Sequence, residues 1–369
     1  MAQQPSEMGE YHPGPPPIRS RRGAAGGWAR RLLMPAYMLS VLSPAKSFRD
    51  NPVVGSPTLN RLGLHVARKI VADRLGRWRR RRLAALIPAE DREAFERDGF
   101  IVKPNFLDEA TFRALRHEVL TLTTDCREAV IGDMLTRLIP LDRCTLRTMP
   151  ATRALLDDRY YRGLLAYVGS FRRRPLFYVQ TVFSRYRKAE PDIQSFFHSD
   201  TFHPTLKSWL YLEDVPPDAT PLSYVPGSHR FNRRRLAWER SVSRIAHQGS
   251  DRLTAEGSLR ISERQIRRLG YPDPKPLPVA ANTLIVADTS GIHARGTAAS
   301  QTSRVSIWAY SRSNPFLPWP GGDVARLPLA LLGDYRLRLY WAVTDWSQRL
   351  RRVRGEWQWA PSRSPLSPP

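Results

Sequence analysis

The chain has 369 residues, 41% of them apolar, which is enough to form one large domain with extensions. Its 58 Lys and Arg residues exceed its 34 Asp and Glu residues and give a net charge of +24, so we expect anionic partners such as membrane lipid, nucleic acid or acyl-CoA phosphates. The two cysteines, Cys126 and Cys144, exclude a disulfide framework and a cysteine zinc cluster, and they favour a reducing, cytoplasmic location.

The N-terminal part of the chain is basic and is expected to precede the main domain. Residues 1–27 are rich in Pro, Gly and Arg and predict a disordered leader. Residues 28–89 predict a partly helical extension. Its apolar run, 28–43, is too short to cross a bilayer and is interrupted by Pro35, which favours an interfacial or core-packing segment.

A helix is predicted to start at Ser56 and Pro57 and to end in the basic run 77–82. Such runs are most often solvated linkers. The alternative is contact with phosphate head groups, to which each basic residue contributes about 1 kcal/mol near an anionic surface. Of these two interpretations, we favour contact with a membrane surface.

The main domain is predicted over residues 90–318. It opens with a strand-like segment at 100–102, and Asp108 can cap the helix that follows. Residues 120–175 predict only mixed helix and loop. The arginine-rich stretch 231–275 has no regular pattern and is interpreted as an insertion over the mouth of a pocket.

From Leu176 onward the pattern becomes that of strands. Gln180 interrupts an apolar strand, and a buried amide requires partners, which can be neighbouring backbone groups or a ligand. Trp209 lies in the next strand, with Lys207 and Tyr211 on the same face. It is either a core aromatic or a residue beside a site.

Two candidate metal ligands stand in the segment 196–200. His198 and Asp200 project to the same side of a strand. A third candidate, His293, ends the downstream segment 288–293. Two histidines and one carboxylate form the ligand set of non-haem iron oxygenases, and they also bind zinc. For an isolated pair, the simpler interpretation is that His198 only forms a hydrogen bond with Asp200.

Arg304 follows His293 by eleven residues in a run that predicts a strand, 303–310. Arg304, Ser306 and Trp308 share one face of that strand. An inward guanidinium there needs an anionic partner, and a dicarboxylate co-substrate would meet that need.

The order of these motifs along the chain resembles that of the phytanoyl-CoA dioxygenase family of Fe(II)/2-oxoglutarate oxygenases. The resemblance covers roughly residues 95–316. Its matching pieces are Arg97 through Leu107, His198 through Asp200, Pro221 through His229, Asp288 through Gly296, and Arg304. The resemblance implies a mainly β fold with flanking α-helices, built on a double-stranded β-helix (jelly-roll, cupin-like) core.

The resemblance also implies the cofactors and the residues that hold them. His198, Asp200 and His293 would be the catalytic residues that bind Fe(II). Arg304 would bind the co-substrate 2-oxoglutarate, with ascorbate as a supporting reductant. By position, Gln180 would line the co-substrate pocket.

The same resemblance bears on the expected roles of three further residues. Trp209 would lie beside the co-oxidant site, whereas His229 would be structural or would support a ligand residue without binding iron itself. Arg295 departs from the family, whose founding member has a small hydroxyl residue there. It would contact the co-substrate, bind an anionic substrate or form a salt bridge with a loop acid.

The expected activity is hydroxylation of an aliphatic carbon in a small-molecule or lipid substrate. Because Asp200 is present, no coordination position is freed for chloride, and halogenation is disfavoured. One alternative is a catalytically silent β-helix scaffold that binds anionic surfaces, and the intact ligand set argues against it. The other is a zinc hydrolase using the same ligands, which gives no reason for Arg304 at its spacing.

Residues 319–369 predict a basic, Trp-rich C-terminal extension. Its helical pattern over 335–350 suits a membrane interface or packing onto the domain, and its last residues are expected to be frayed. Apolar residues beside arginine clusters in both extensions favour peripheral contact with an anionic membrane from the cytoplasmic side. Nucleic-acid binding is the less favoured explanation of the charge.

Overall fold

The computed structural model describes residues 32–248, 251–321, 330–351 and 355–368. The predicted leader, residues 1–27, lies outside the described residues. The described part is mainly β-structure flanked by helices, as predicted.

Helices flank the strands on the outside of the domain. The helices are α1 (Met34–Leu39), α2 (Pro57–Leu62), α3 (Leu64–Leu83), α4 (Ala89–Asp98), α5 (Glu109–Thr121), α6 (Pro150–Asp157), α7 (Arg159–Gly169), α8 (Arg233–Ile245), α9 (Arg252–Ala255), α10 (Glu263–Arg268) and α11 (Ala330–Arg351). The strands are β1 (Phe100–Lys103), β2 (Thr124–Ile131), β3 (Met134–Pro140), β4 (Leu176–Ser184), β5 (His198–Ser199), β6 (Leu206–Tyr211), β7 (Leu222–Tyr224), β8 (Leu259–Arg260), β9 (Lys275–Leu277), β10 (Leu284–Asp288), β11 (His293–Arg295), β12 (Thr302–Ser311) and β13 (Gln358–Arg363). Ser56 and Asp108 cap α2 and α5 through their side chains, as predicted.

The described strands form two antiparallel sheets. The order of the larger sheet is β1-β10-β6-β12-β4-β3-β2-β13, and that of the smaller sheet is β8-β5-β11-β7-β9. Phe100 and Trp209 of the larger sheet share one apolar cluster with Leu222, Tyr224 and Leu277 of the smaller sheet. The sheets therefore pack face to face, and the predicted double-stranded β-helix is confirmed.

The larger sheet has two chemically different faces because side chains alternate along each strand. On β4, Phe177 and Val179 join the core cluster that the helices cover. On β12, Ile307 joins the same cluster. Gln180 and Arg304 alternate with these residues and face the space between the sheets. That interior face therefore includes polar side chains.

Two regions predicted as irregular are regular in the structure. Residues 120–175 contain β2 and β3, which extend the larger sheet beyond β4, so the expectation of helix and loop alone was wrong. Residues 231–275 contain α8, α9 and α10 where an irregular insertion was expected. In both regions charged residues occupy buried positions, among them Arg137, Arg235 and Glu239. They interrupt the apolar periodicity from which strands and helices are predicted.

The C-terminal extension packs onto the domain. Strand β13 pairs with β2 at the edge of the larger sheet. The buried Arg137 guanidinium donates to the backbone carbonyl oxygens of Ser364 and Ser367. These last residues are therefore held by hydrogen bonds, and the expectation that they are frayed was wrong.

Helix α3 packs against α7 and α8 and belongs to the body of the domain. Within its basic run 77–82, Arg79 and Arg80 are buried, whereas Arg81 and Arg82 are exposed. The expectation that this run is a solvated linker or a contact with head groups was wrong for the two buried arginines.

Arg79 is fully buried because backbone carbonyl groups surround it. Its guanidinium donates to the carbonyl oxygens of Ser170 at 3.1 Å and Pro315 at 3.0 Å, and it lies 4.1 Å from the ring centroid of Phe171. It joins α3 to the segments after α7 and after β12.

Replacing Arg79 with Ala should lower the free energy of unfolding by at least about 2 kcal/mol, because several buried carbonyl oxygens lose their donor. Urea denaturation measures the change. Arg81→Ala is the control, with an expected change within about 0.5 kcal/mol because Arg81 is exposed. Equal losses in the two variants would contradict the structural role of Arg79.

Candidate metal centre and co-substrate site

Three candidate metal ligands meet on the smaller sheet. His198 begins β5, Asp200 follows that strand, and His293 begins β11. Pairing of β11 with β5 places His293 opposite His198, with ring centroids 4.4 Å apart. The ligand atoms of the three side chains lie within 4.8 Å of one another. The structure thus brings together the residues that the sequence pattern selects.

Hydrogen bonds to backbone carbonyl groups two residues earlier in the chain orient both imidazole rings. Nδ1 of His198 is 2.8 Å from the Phe196 carbonyl oxygen, and Nδ1 of His293 is 3.1 Å from the Gly291 carbonyl oxygen. A carbonyl oxygen only accepts, so each Nδ1 carries the proton and each Nε2 keeps a lone pair. The two Nε2 atoms lie 3.5 and 3.8 Å from Oδ1 of Asp200.

Three acceptor atoms therefore face one another without a donor between them. This argues against the simpler interpretation, in which His198 forms a hydrogen bond with Asp200. Within the described part of the chain, Nε2 of His198 is buried and has no hydrogen-bond partner. A divalent cation would satisfy all three atoms, so these residues fit Fe(II).

The protonation states of the three side chains suit metal binding. Burial lowers the pKa of His198 to about 3 and that of His293 to about 4, so both imidazoles are neutral at pH 7. Burial alone would raise the pKa of Asp200, but Lys207 and the two histidines hold it well below its usual value. A metal ion would not have to displace protons from these groups.

Lys207 orients the ligand carboxylate. Its Nζ lies 2.6 Å from Oδ2 of Asp200, which leaves Oδ1 directed at the histidines. Lys46, far upstream, donates from Nζ to the backbone oxygen of Asp200 at 2.6 Å. The strand pattern predicts the face on which Lys207 lies, but it does not indicate which acid that lysine contacts.

A buried arginine ties the two ligand-bearing segments together. Arg235 on α8 donates to Oγ of Ser199 at 2.8 Å and to the carbonyl oxygen of Ser290 at 3.0 Å. Its partner Glu239, 2.8 Å away, also pairs with Lys69 of α3 at 3.0 Å. Sequence reasoning missed this network because arginines on a polar helix usually indicate a solvated face.

Asp288 shapes the loop that leads to His293. Its Oδ1 accepts from the backbone N–H groups of Thr205 and Ser290, both at 3.0 Å, and its Oδ2 pairs with Arg80 at 2.8 Å. Burial would raise the pKa of Asp288, but Arg80 and the hydrogen bonds keep it below the usual value. The motif 288–293 was recognised in the sequence, whereas its arginine partner was not.

Arg304 on β12 is a buried cation without a carboxylate partner among the described residues. Its Nη1 donates to the Thr220 carbonyl oxygen, and its guanidinium lies 5.7 Å from the ring centroid of Tyr211. Its Nε is buried and has no hydrogen-bond partner within the same part of the chain. Burial lowers the pKa of Arg304. These surroundings suit a carboxylate of 2-oxoglutarate.

Arg295 differs from Arg304 because it already forms an ion pair with a carboxylate of the protein. Its Nη1 lies 2.7 Å from Oδ2 of the buried Asp192. Of the three roles open to Arg295 in the sequence, the salt bridge with a loop acid is the one for which the structure provides a contact. Arg304 is then the less compensated of the two arginines.

Gln180 and Trp209 both lie on the interior face. Gln180 is opposite Ser306 on β12, and Trp209 is opposite Trp308. Trp209 packs into the apolar cluster between the sheets, which suits a core aromatic. Within the described residues, Oγ of Ser306 and Nε1 of Trp308 are buried and without partners, so polar groups line the interior near Gln180.

His229 lies outside the metal-ligand group. Its ring centroid is 5.1 Å from that of Phe95, and burial lowers its pKa to about 3. The three residues whose ligand atoms come together do not include it.

Comparison with known proteins bears on the same residues. The family model for phytanoyl-CoA dioxygenase matches residues 95–304. The chain belongs to the phytanoyl-CoA dioxygenase family. No curated protein sequence matches it significantly. As a member of this family with an assembled His–Asp–His site, it is an oxygenase-type enzyme that uses iron and 2-oxoglutarate.

Solved structures similar to this family member include the following proteins. The epimerase SnoN, in complex with Fe3+, alpha ketoglutarate and nogalamycin RO, is 18% identical over 62% of this chain and 83% of its own, with a TM-score of 0.38. HygX from Streptomyces hygroscopicus, with nickel, 2-oxoglutarate and hygromycin B bound, is 16% identical over 61% and 87%, with a TM-score of 0.36. AviO1 from Streptomyces viridochromogenes Tue57 is 16% identical over 61% and 94%, with a TM-score of 0.35. At these values the likeness carries no conclusion about substrate.

Replacing His198, Asp200 or His293 with Ala should reduce bound iron at least about tenfold, because each change removes one of three protein ligands. Metal analysis after anaerobic loading with Fe(II) measures this, and circular dichroism checks that each variant is folded. His229→Ala is the control and should retain its iron. Full iron content and turnover in a triad variant would remove that residue from the ligand set.

Proposed function

We propose that this protein hydroxylates an aliphatic carbon of a largely apolar organic substrate in an Fe(II)- and 2-oxoglutarate-dependent reaction. The main support for the proposal is that the interior between the two sheets holds two sites whose polar groups are not fully paired among the described residues. One is the set of facing acceptor atoms of His198, Asp200 and His293. The other is the buried Arg304 guanidinium.

Each residue has a distinct task in this proposal. His198, Asp200 and His293 would hold the iron, and Lys207 would keep one Asp200 oxygen directed at it. Arg304 would bind the far carboxylate of 2-oxoglutarate. The bound iron and co-substrate would supply the oxidising power needed to take hydrogen from an unactivated carbon. Because Asp200 fills the carboxylate position, hydroxylation is favoured over halogenation.

The proposed substrate is apolar because aromatic rings line the interior near the metal ligands. The ring centroid of Trp308 is 5.6 Å from that of Tyr178 and 5.7 Å from that of Tyr310. Trp341 of α11 packs against the same cluster. Burial raises the pKa of Tyr310 and the Asp200 carboxylate adds to the rise, which supports a position close to the metal centre.

Two other functions use the same residues differently. A silent scaffold would need no metal, and a zinc hydrolase would need no 2-oxoglutarate. Incubation with Fe(II), ascorbate and 2-oxoglutarate separates the three, since only an oxygenase consumes 2-oxoglutarate and forms succinate. Hydrolysis supported by Zn(II), or no turnover with either metal, would replace the proposal by one of the alternatives.

Arg304→Ala should raise the 2-oxoglutarate concentration needed for half-maximal succinate formation by about 10- to 100-fold, because a charge-assisted contact is lost. Iron binding should persist, as measured by metal analysis. Arg295→Ala is the comparison and should have the smaller effect, since Asp192 already pairs with Arg295. The opposite ranking would reverse the roles of the two arginines.

We also propose that the substrate is lipid-like and reaches the enzyme from an anionic membrane surface. No helix among the described residues is long and apolar enough to cross a bilayer. Leu39 and Leu42 are 74% and 64% exposed, and Trp346 of α11 is 64% exposed. The Leu42 carbonyl oxygen accepts from Nδ2 of Asn314 at 3.1 Å, next to the end of β12. Exposed apolar side chains such as these suit insertion among lipids.

The double variant Leu39→Gln/Leu42→Gln should weaken sedimentation with anionic vesicles about tenfold, because two apolar side chains no longer enter the lipid. Leu62→Gln/Ile245→Gln is the matched control, because these side chains are also exposed, at 77% and 63%, on α2 and α8. Binding that is equal on neutral vesicles, or absent from both, would contradict peripheral attachment without affecting the oxygenase proposal.

A further inference from the structure

One side chain from the segment between α1 and α2 reaches the metal centre. Nζ of Lys46 donates to the backbone oxygen of Asp200 at 2.6 Å. The family match begins only at residue 95, so Lys46 belongs to the part of this chain outside that match. Its contact with a candidate iron ligand is therefore a feature that the family motifs do not include.

Hydrogen bonds on both sides of Lys46 fix its backbone. On the N-terminal side, the guanidinium of Arg68 donates to the carbonyl oxygen of Ala45 at 2.7 Å. On the C-terminal side, the N–H group of Phe48 donates to the carbonyl oxygen of Ala255 at 2.9 Å. The ammonium group of Lys46 is thus held beside the metal centre by anchored backbone on each side.

Lys46 forms no ion pair with any of the described residues. The Asp200 carboxylate is already paired with Lys207 at 2.6 Å, and Glu256 is paired with Arg49 at 2.7 Å. Burial lowers the pKa of Lys46 to about 8, and the attraction of Asp200 and Glu256 offsets that fall only in part. An additional anion beside Lys46 would stabilise its charge.

The cofactors of the proposed reaction would not supply that anion. Iron held by Asp200 would add positive charge close to Lys46. In the proposed arrangement, the far carboxylate of 2-oxoglutarate pairs with Arg304, which is a different cation. The unpaired ammonium group of Lys46 therefore remains available to a third molecule, the substrate.

The aromatic wall of the interior adjoins these cations. Tyr310 is opposite Lys207 in the pairing of β12 with β6, and the centroid of its ring lies 5.7 Å from that of Trp308. The charge of Arg312 adds to the fall in pKa that burial causes in Lys46, and it opposes the rise in pKa that burial causes in Tyr310. An unpaired cation and an apolar wall thus lie together at the metal centre.

We propose that the substrate is an amphiphilic carboxylate whose anionic group pairs with Lys46 and whose apolar chain lies along Tyr310 and Trp308. This inference rests on the proposed oxygenase function and narrows its substrate class. A carboxylate carries one negative charge at pH 7 and so matches a single ammonium group. The aromatic rings suit a hydrocarbon chain. Lys46 is then a specificity-determining residue.

Titration calorimetry of the full chain tests this role, with decanoate as the probe and decanamide as its neutral counterpart. The protein is loaded with Fe(II) and 2-oxoglutarate in the absence of oxygen, so that binding is measured without turnover. Decanoate should bind at least tenfold more tightly than decanamide, because only decanoate is charged. Lys46→Met should weaken decanoate binding at least tenfold and leave decanamide binding as in the parent.

Two further variants serve as controls. Lys46→Arg keeps the positive charge and should retain the preference for decanoate. Lys275→Met makes the same change as Lys46→Met at an exposed position of β9 and should bind both probes as the parent does. Metal analysis should find the iron content of the parent in every variant.

The inference is overturned if decanoate binds no better than decanamide, or if Lys46→Met weakens both probes equally. Loss of iron in Lys46→Met, or a higher 2-oxoglutarate requirement, would also overturn it, because Lys46 would then act on Asp200 or on the co-substrate. Succinate formation without a preference for decanoate would refute this inference alone. Charge-dependent binding without any succinate formation would instead refute the oxygenase function.

Discussion

The ion pair between Arg80 and Asp288 connects helix α3 to the loop that leads to His293. Both partners are buried, and the remaining polar atoms are satisfied by nearby backbone. Arg80 donates to the carbonyl oxygens of Tyr167 and Val168 as well as to Asp288. A buried pair adds little net stability relative to apolar side chains, but loss of one partner costs about 3–5 kcal/mol. We interpret the pair as a constraint on the conformation of the loop before His293, because few other conformations would keep Asp288 next to Arg80.

Part of the large positive charge of this chain is internal. Arg79, Arg137 and Arg235 are almost completely buried, and each donates to backbone carbonyl groups of distant segments. The net charge of +24 therefore overstates the charge available at the surface. Arg304 stands out against this background. It is also buried, yet a single carbonyl oxygen accepts from it in the described structure.

The residues matched by the family model do not complete the site. Before residue 95, Lys46 contacts the backbone of Asp200 and Arg80 holds the loop before His293. After residue 304, Tyr310 and Trp341 contribute to the aromatic region of the interior. The family core thus supplies the candidate metal ligands, and the flanking segments support them and shape the space in which a substrate would lie.

The sequence by itself was sufficient to select His198, Asp200 and His293 as candidate metal ligands, but only the pairing of β11 with β5 brings His293 to the other two. The caps Ser56 and Asp108 were equally predictable, since capping depends on neighbouring residues only. Strand β3 was not, because the buried Arg137 interrupts its apolar pattern, and its partners on β2 and near the C-terminus are brought to it only by folding. Only the tertiary structure decided which arginines are buried. A guanidinium can be buried wherever enough oxygen atoms accept its hydrogen bonds. Arg80 and Asp288 are 208 residues apart in the sequence, so they meet only when the chain has folded.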